Sequence, residues 1–104
     1  MGIKNTKAKG SRQEHRSIAY LEKFGYRCTR SAASLGAWDI VGVGVDDFVL
    51  VQVKSNRWPG TKEMEALRAF QCPSNCRKLV HRWRDGHRRP DIENLTTHEV
   101  IMDK

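Results

Sequence analysis

The chain has 104 residues and is strongly basic, with 19 Lys and Arg residues against 12 Asp and Glu residues and a formal net charge of +7. This length supports one modest hydrophobic core and is too short for two. We therefore expect a single domain over residues 1–104, with residues 1–10 as a basic, flexible arm. No apolar run is long enough to span a membrane. The basic excess favours a polyanionic partner such as a nucleic acid.

The first predicted element is a helix over residues 12–24. Ser11 is a candidate N-cap with Glu14 three residues later, and Ile18 and Leu21 follow at helical spacing. Glu14 has two interpretations. It completes a capping box at the start of the helix, or it lies at the end of the buried stripe and approaches the hairpin that comes next along the chain.

Two apolar segments, residues 37–43 and 48–54, predict a β-hairpin that follows a short strand over residues 26–31. Asp39 lies near the start of the first hairpin strand, and Lys54 closes the second. Charged residues in buried strands are poor choices for packing, because an unpaired charge out of water is costly. We interpret Asp39 and Lys54 as parts of a site for a metal ion and a phosphate.

The second half of the chain predicts one helix and two strands. Thr61 is a candidate N-cap of the helix, which carries Met64 and Leu67 on its buried side. Residues 77–84 predict another strand, and residues 97–102 predict a short final strand or an extended tail. Together these elements predict an α/β fold with a central mixed β-sheet and a helix on each side.

Basic residues are concentrated in two segments. Residues 1–30 hold eight Lys or Arg residues, and residues 72–90 hold six. They predict either two solvated faces or a surface that follows a phosphate backbone. In the strand over residues 77–84 the basic side chains fall mainly on one face, by the period of two. We expect Trp38 and Trp83 to pack in the core and Trp58, in a loop, to contact DNA. The candidate DNA-binding residues are Lys9, Arg12, Arg30, Ser31, Arg57, Trp58, Lys78, Arg82 and Arg84.

Cysteine usage and the N-terminal segment indicate the compartment. The N-terminal segment is basic and no apolar segment follows it, so we expect no secretory signal and a cytoplasmic, nucleoid-associated protein. Three cysteines are an odd number, which favours reduced thiols. Cys72 and Cys76, with His81 and His87 after them, could form a zinc site, but their spacing is not that of a recognised zinc motif.

An ordered set of short motifs runs through the first half of the chain: Lys9-Gly10, Glu14, Gly25-Tyr26, Arg30-Ser31-Ala32-Ala33-Ser34, Asp39-Ile40-Val41 and Gln52-Val53-Lys54. In order and spacing they resemble the archaeal-type Holliday junction resolvases of the PD-(D/E)XK nuclease superfamily. The resemblance covers about residues 9–57, and beyond them only the general layout is similar. It implies a restriction-endonuclease-like core.

The resemblance also implies roles for individual residues. Asp39 would be the central metal ligand, and Lys54 would orient the attacking water and offset charge on the phosphate. Glu14 would complete the metal site, directly or through water. A serine would assist near the scissile phosphate, and Ser34 suits the pattern slightly better than Ser31.

Two positions depart from the family pattern. Trp38 stands where the family usually has Pro, and Gln52 stands where an acidic residue is expected. An amide oxygen can ligate Mg²⁺, so Gln52 is counted with Glu14 and Asp39 as a metal ligand, but it lacks negative charge and should bind metal more weakly.

The implied function is an endonuclease that uses Mg²⁺, or Mn²⁺ as a substitute, to hydrolyse phosphodiester bonds in branched DNA. A four-way junction has two symmetric cleavage points, which favours a homodimer. Three alternatives remain. The protein could be a nuclease for ordinary duplex DNA, a non-catalytic DNA-binding module whose site has lapsed at Gln52, or an RNA-binding domain in which Asp39 and Lys54 form a structural ion pair.

Overall fold

The computed structural model describes residues 3–31 and 36–104, with side chains from residue 10 onward. In chain order the elements are α1 (Ile3–Glu22), β1 (Arg27–Arg30), β2 (Ile40–Val43), β3 (Phe48–Ser55), α2 (Thr61–Ala69), β4 (Cys76–Trp83), β5 (Asp91–Asn94) and β6 (Val100–Ile101). Within the described ranges, the six strands form one sheet in the order β1-β2-β3-β4-β5-β6.

The sheet is mixed, as predicted. Strands β3 and β4 are parallel, and the other neighbouring pairs are antiparallel. A parallel pair needs a crossover connection, and α2 provides it between β3 and β4. The predicted hairpin is confirmed as the β2–β3 pair, in which Ile40 lies opposite Val51. The structure therefore has the expected α/β fold, with a central mixed sheet and a helix on each face.

Each face of the sheet carries its own apolar cluster. Side chains alternate between the faces along β3, by the period of two. The cluster against α2 includes Trp38, Leu50, Met64, Leu67 and Val80. The cluster against α1 includes Leu21, Ile40, Val49, Val51 and Leu79. The expected core positions of Trp38 and Trp83 are confirmed, since both are almost fully buried.

Helix α1 begins earlier than predicted. It starts at Ile3, so Ser11 lies inside the helix and the capping-box interpretation of Glu14 is wrong. Residues 3–10 of the expected basic arm belong to this helix. No proline interrupts this segment, and one glycine costs a helix only about 1 kcal/mol relative to alanine. None of the helices in the described part of the chain is long and apolar enough to cross a membrane.

Helix α2 is capped by backbone and by a lysine from β4. Gly60, rather than Thr61, occupies the N-cap position. At the other end, the Lys78 ammonium donates to the carbonyl oxygens of Leu67 at 3.0 Å, Arg68 at 2.6 Å and Phe70 at 2.8 Å. These carbonyls lie where a helix carries partial negative charge. Lys78 is only 8% exposed, so its prediction as a DNA-binding residue is wrong.

A buried hydrogen-bonded group joins α1 to β4. The Ser17 hydroxyl oxygen accepts a hydrogen bond from Trp83 Nε1 at 2.7 Å and lies 3.0 Å from His81 Nδ1. His81 is fully buried, and this burial lowers its pKa to about 3. The histidine is therefore neutral in the folded protein at neutral pH.

Replacing Lys78 by Met should lower the free energy of unfolding by about 2 kcal/mol or more, because a charged donor that serves three carbonyls is lost. Urea unfolding measures the change. The control is Arg77→Met, since Arg77 is exposed and pairs with Asp47 at the surface, where ion pairs contribute about 0–1 kcal/mol. Unchanged stability in Lys78→Met together with weaker DNA binding would contradict this assignment.

The burial of His81 should make stability depend on pH. The unfolded chain binds a proton on this histidine below about pH 6.5, whereas the folded protein resists protonation down to about pH 3. The free energy of unfolding should therefore fall as the pH is lowered between these values, by up to about 1.4 kcal/mol per pH unit. Urea unfolding at pH 7 and pH 5 tests this. The dependence should shrink in His81→Gln and persist in His15→Gln; equal slopes in both variants would refute it.

Candidate active site

Asp39 lies at the point where the hairpin strands separate. Its N–H donates to the Val51 carbonyl at 2.8 Å, and its own carbonyl accepts from the N–H of Ser31 at 2.8 Å. One step further along β3, the N–H of Val53 donates to the Asp39 carboxylate, Oδ2, at 2.8 Å. The Asp39 side chain thus replaces the next backbone acceptor of the hairpin, and its carboxylate is held where β2 and β3 separate.

The carboxyl group of Asp39 has a raised pKa. Burial is the main cause, and the hydrogen bond from Val53 opposes it. The negative charges of Glu14 and Glu63 raise the pKa further, while the Lys54 ammonium lowers it. Three carboxylates and one ammonium therefore lie within electrostatic range of one another, and a bound cation would relieve the repulsion among the carboxylates.

Gln52 and Lys54 point from β3 towards α2, where both meet Glu63. Gln52 Nε2 donates to Glu63 Oε2 at 3.0 Å, and the Lys54 ammonium lies 3.4 Å from Glu63 Oε1. The printed pairing of β2 with β3 ends at Ile40 and Val51, so Gln52 lies one residue beyond the paired part of β3. Gln52 is 8% exposed, and its carbonyl oxygen, Oε1, is buried with no hydrogen-bond partner among the described residues.

Glu14 approaches from α1, but its carboxylate is already paired. Arg30 Nε lies 2.8 Å from Glu14 Oε1. The buried hydroxyl of Ser31, next in the chain, has no hydrogen-bond partner among the residues that the structure describes. Ser34 lies outside the residues that the structure describes. Of the two candidate serines, Ser31 is thus the one whose backbone the structure joins to Asp39.

The donor set at this site suits a hard divalent cation. A carboxylate from Asp39 and an unpartnered amide oxygen from Gln52 are the oxygen ligands that Mg²⁺ and Mn²⁺ accept. Within residues 3–31 and 36–104, no group of three or more His, Cys, Asp or Glu side chains is gathered closely enough to hold a metal ion. Glu14 is drawn to Arg30 and Glu63 to Lys54, so a metal ion would compete with those ion pairs.

The thiols of Cys72 and Cys76 do not favour zinc. Burial and the neighbouring Cys72 thiol raise the pKa of Cys76 to about 12. Zinc binds the thiolate form of cysteine, which this environment makes costly.

Arg82, near the end of β4, and Arg84, just after it, serve the fold more than the predicted DNA surface. Asp91, at the start of β5, is almost fully buried. Arg82 and Arg84 both pair with its carboxylate, at 2.6 Å and 2.8 Å. Burial alone would raise the pKa of Asp91, but the N–H of Asp103 and the two guanidinium groups hold it below its ordinary value. The sequence analysis did not predict β5 and so missed this acidic partner.

Other basic residues remain at the surface of the protein. Arg12 and Arg57 are exposed, and the Lys9 side chain lies outside the described side chains. Trp58 is half-buried and lies 4.6 Å beneath the guanidinium of Arg82, so its ring has a partner within the protein. A basic cleft of about 450 Å³ runs beside α1 and is lined by Arg16, Ala19, Tyr20, Lys23, Phe24, Trp83, Arg88 and Arg89.

Glu63 is the site residue that the sequence analysis missed. The residue lies in the first turn of α2, where an acidic side chain is explained by the helix dipole alone. Its meeting with β3 depends on how the crossover helix packs, which no local pattern predicts.

No family model matches the sequence, and no curated protein matches it. Among solved structures, the chain is similar to Archaeoglobus fulgidus Hjc, a Holliday junction resolvase from an archaeal hyperthermophile. The TM-score is 0.67 and the identity 21%, over 85% of this chain and 74% of that chain. At this identity the likeness concerns the fold: the mixed sheet and its flanking helices are arranged as in that resolvase.

Proposed function

We propose that this protein is a metal-dependent DNA endonuclease that cuts branched DNA. The observation that carries the proposal is the position of Asp39, a half-buried carboxylate with a raised pKa at the separation of β2 and β3. The Lys54 ammonium and the carboxylates of Glu14 and Glu63 act on it electrostatically, on a fold like that of Hjc. A merely structural aspartate would be expected to have a matched cation instead.

The residues of the site would have separate roles in phosphodiester hydrolysis. Asp39 and Gln52 Oε1 would hold Mg²⁺, or Mn²⁺ in its place, with Glu14 added directly or through water. When bound, the ion would supply an activated water and neutralise charge on the phosphate. The Lys54 ammonium, about one-third exposed and 3.4 Å from Glu63, would offset the charge that develops on a phosphate.

The basic surface of the protein suits a DNA backbone. Arg12 is exposed in the middle of α1 and Arg57 just after the end of β3, and the cleft along α1 adds Arg16, Lys23 and Arg88. Basic side chains of this kind bind phosphates without reading sequence. Recognition of DNA shape rather than sequence is the mode that a junction-cutting enzyme needs. A homodimer would present two such sites to the two symmetric strands of a four-way junction.

The neutral side chain of Gln52 favours a second candidate, a DNA-binding module whose nuclease site has lapsed. Fewer charged ligands weaken the binding of a divalent cation. The RNA-binding alternative invoked an ion pair between Asp39 and Lys54. Among the residues that the structure describes, Lys54 instead pairs with Glu63, and Asp39 accepts from the N–H of Val53.

A labelled four-way DNA junction should be nicked symmetrically in Mg²⁺ and left intact in EDTA, whereas a matched linear duplex should be a much poorer substrate. Asp39→Asn should lose at least about 100-fold in rate, since a charged group essential to the transition state is removed. The amide still accepts the hydrogen bond from Val53, so the fold is retained. Asp46→Asn, in the exposed hairpin turn, is the matched control and should cut normally.

The same assay separates the alternatives. If the protein binds the junction and never cuts it, while Gln52→Glu cuts, the native protein is a lapsed nuclease. Equal cleavage of junction and duplex would indicate a nuclease for ordinary DNA. Tighter binding of structured RNA than of the junction, with no cleavage of either, would refute the proposal.

A further inference from the structure

We propose that Glu63 is a metal ligand, and that α2 thereby supplies the negative charge that Gln52 does not carry. The inference rests on the proposed nuclease function and names a residue of the same site. Glu63 lies outside the stretch whose motifs resemble the resolvases.

Glu63 occupies the centre of the polar contacts on this face of the sheet. One carboxylate oxygen accepts from Gln52 Nε2 at 3.0 Å, and the other lies 3.4 Å from the Lys54 ammonium. Its charge also acts on Asp39. A carboxylate has about four lone-pair positions, and these two contacts use half of them. The side chain is 37% exposed, so the remaining positions are accessible from solvent.

The second observation is the orphaned oxygen of Gln52. The amide directs Nε2 at Glu63, which fixes Oε1 on the opposite side, and this oxygen is buried without a partner. A buried acceptor left unpaired costs about 1–3 kcal/mol. A buried amide oxygen held in this way, on a side chain anchored by the Glu63 carboxylate, is a ready ligand for a hard cation.

Charge balance points to the same residue. A divalent ion needs about two negative charges near it, and Asp39 provides one. Both remaining carboxylates have a cationic neighbour, but Glu14 is held by Arg30 at 2.8 Å, whereas Glu63 makes only the longer contact of 3.4 Å with Lys54. Glu63 provides the second charge, and the amide at Gln52 fits beside it because a second carboxylate there would repel Glu63.

The competing explanation is that Glu63 only positions the side chains of Gln52 and Lys54. A positioning role and a ligand role differ in their effect on metal affinity. They also differ in what happens when the carboxylate is moved from α2 to β3. The double variant Glu63→Gln/Gln52→Glu makes that move. This exchanged variant keeps one amide and one carboxylate but swaps their two positions.

The experiment measures Mn²⁺ binding to the full, DNA-free chain by electron paramagnetic resonance, with junction cleavage in parallel. Glu63→Gln should weaken Mn²⁺ binding by at least about tenfold. The exchanged variant should recover most of that affinity. Glu65→Gln, on the exposed side of the same helix, should bind as the wild type does. Circular dichroism and the melting temperature in EDTA verify that each variant is folded.

The outcomes distinguish the inference from the proposed function. Wild-type affinity in Glu63→Gln, in a protein that cuts junctions, would overturn the ligand role and leave the nuclease standing. If Glu63→Gln does not fold, the exchanged variant decides: affinity no better than about tenfold below the wild type overturns the inference. A wild type that neither binds Mn²⁺ nor cuts DNA would overturn both.

Discussion

The hydrogen bond from the N–H of Val53 to the Asp39 carboxylate is the contact on which the candidate site depends. Up to Ile40 and Val51 the hairpin is an ordinary antiparallel pair, and beyond them a side chain replaces the backbone acceptor. The strands can then part without leaving a buried N–H unpaired, which would be costly. Gln52 and Lys54 lie beyond this point on β3 and meet Glu63 of α2, so the carboxylate that replaces the backbone acceptor is also the first candidate ligand of the site.

This arrangement lowers stability at the site. The pKa of Asp39 is raised by burial and by the nearby carboxylates of Glu14 and Glu63. A raised pKa in the folded state means that the protonated form is favoured there. The stabilising contribution is therefore complete below the ordinary pKa of an aspartate and is lost as the pH rises through the raised value. At neutral pH the ionised carboxylate is a cost, of the kind found where a protein is prepared for a ligand.

The sequence predicted the hairpin, α2 and β4 because their apolar residues follow clear periods of two or 3.6, and Asp39 and Lys54 were conspicuous as charges in apolar strands. Other features depended on tertiary contacts. Ser11 resembled a helix cap, yet the helix continues through it to Ile3. Lys78 and Arg82 had the alternation of a DNA-binding face, but the C-terminus of α2 and the buried Asp91 take up their charges. Such partners, distant in sequence, are not marked by any local pattern.

The most direct test of the account is a crystal structure of the protein soaked in Mn²⁺, with the ion located by its anomalous scattering. The account predicts one strong peak at the parting of β2 and β3, at about 2.1 Å from oxygens of Asp39 and Gln52. If a saturating concentration of Mn²⁺ gives no peak there, or if the ion binds only elsewhere on the protein, the claim that these residues form a metal-dependent active site is contradicted.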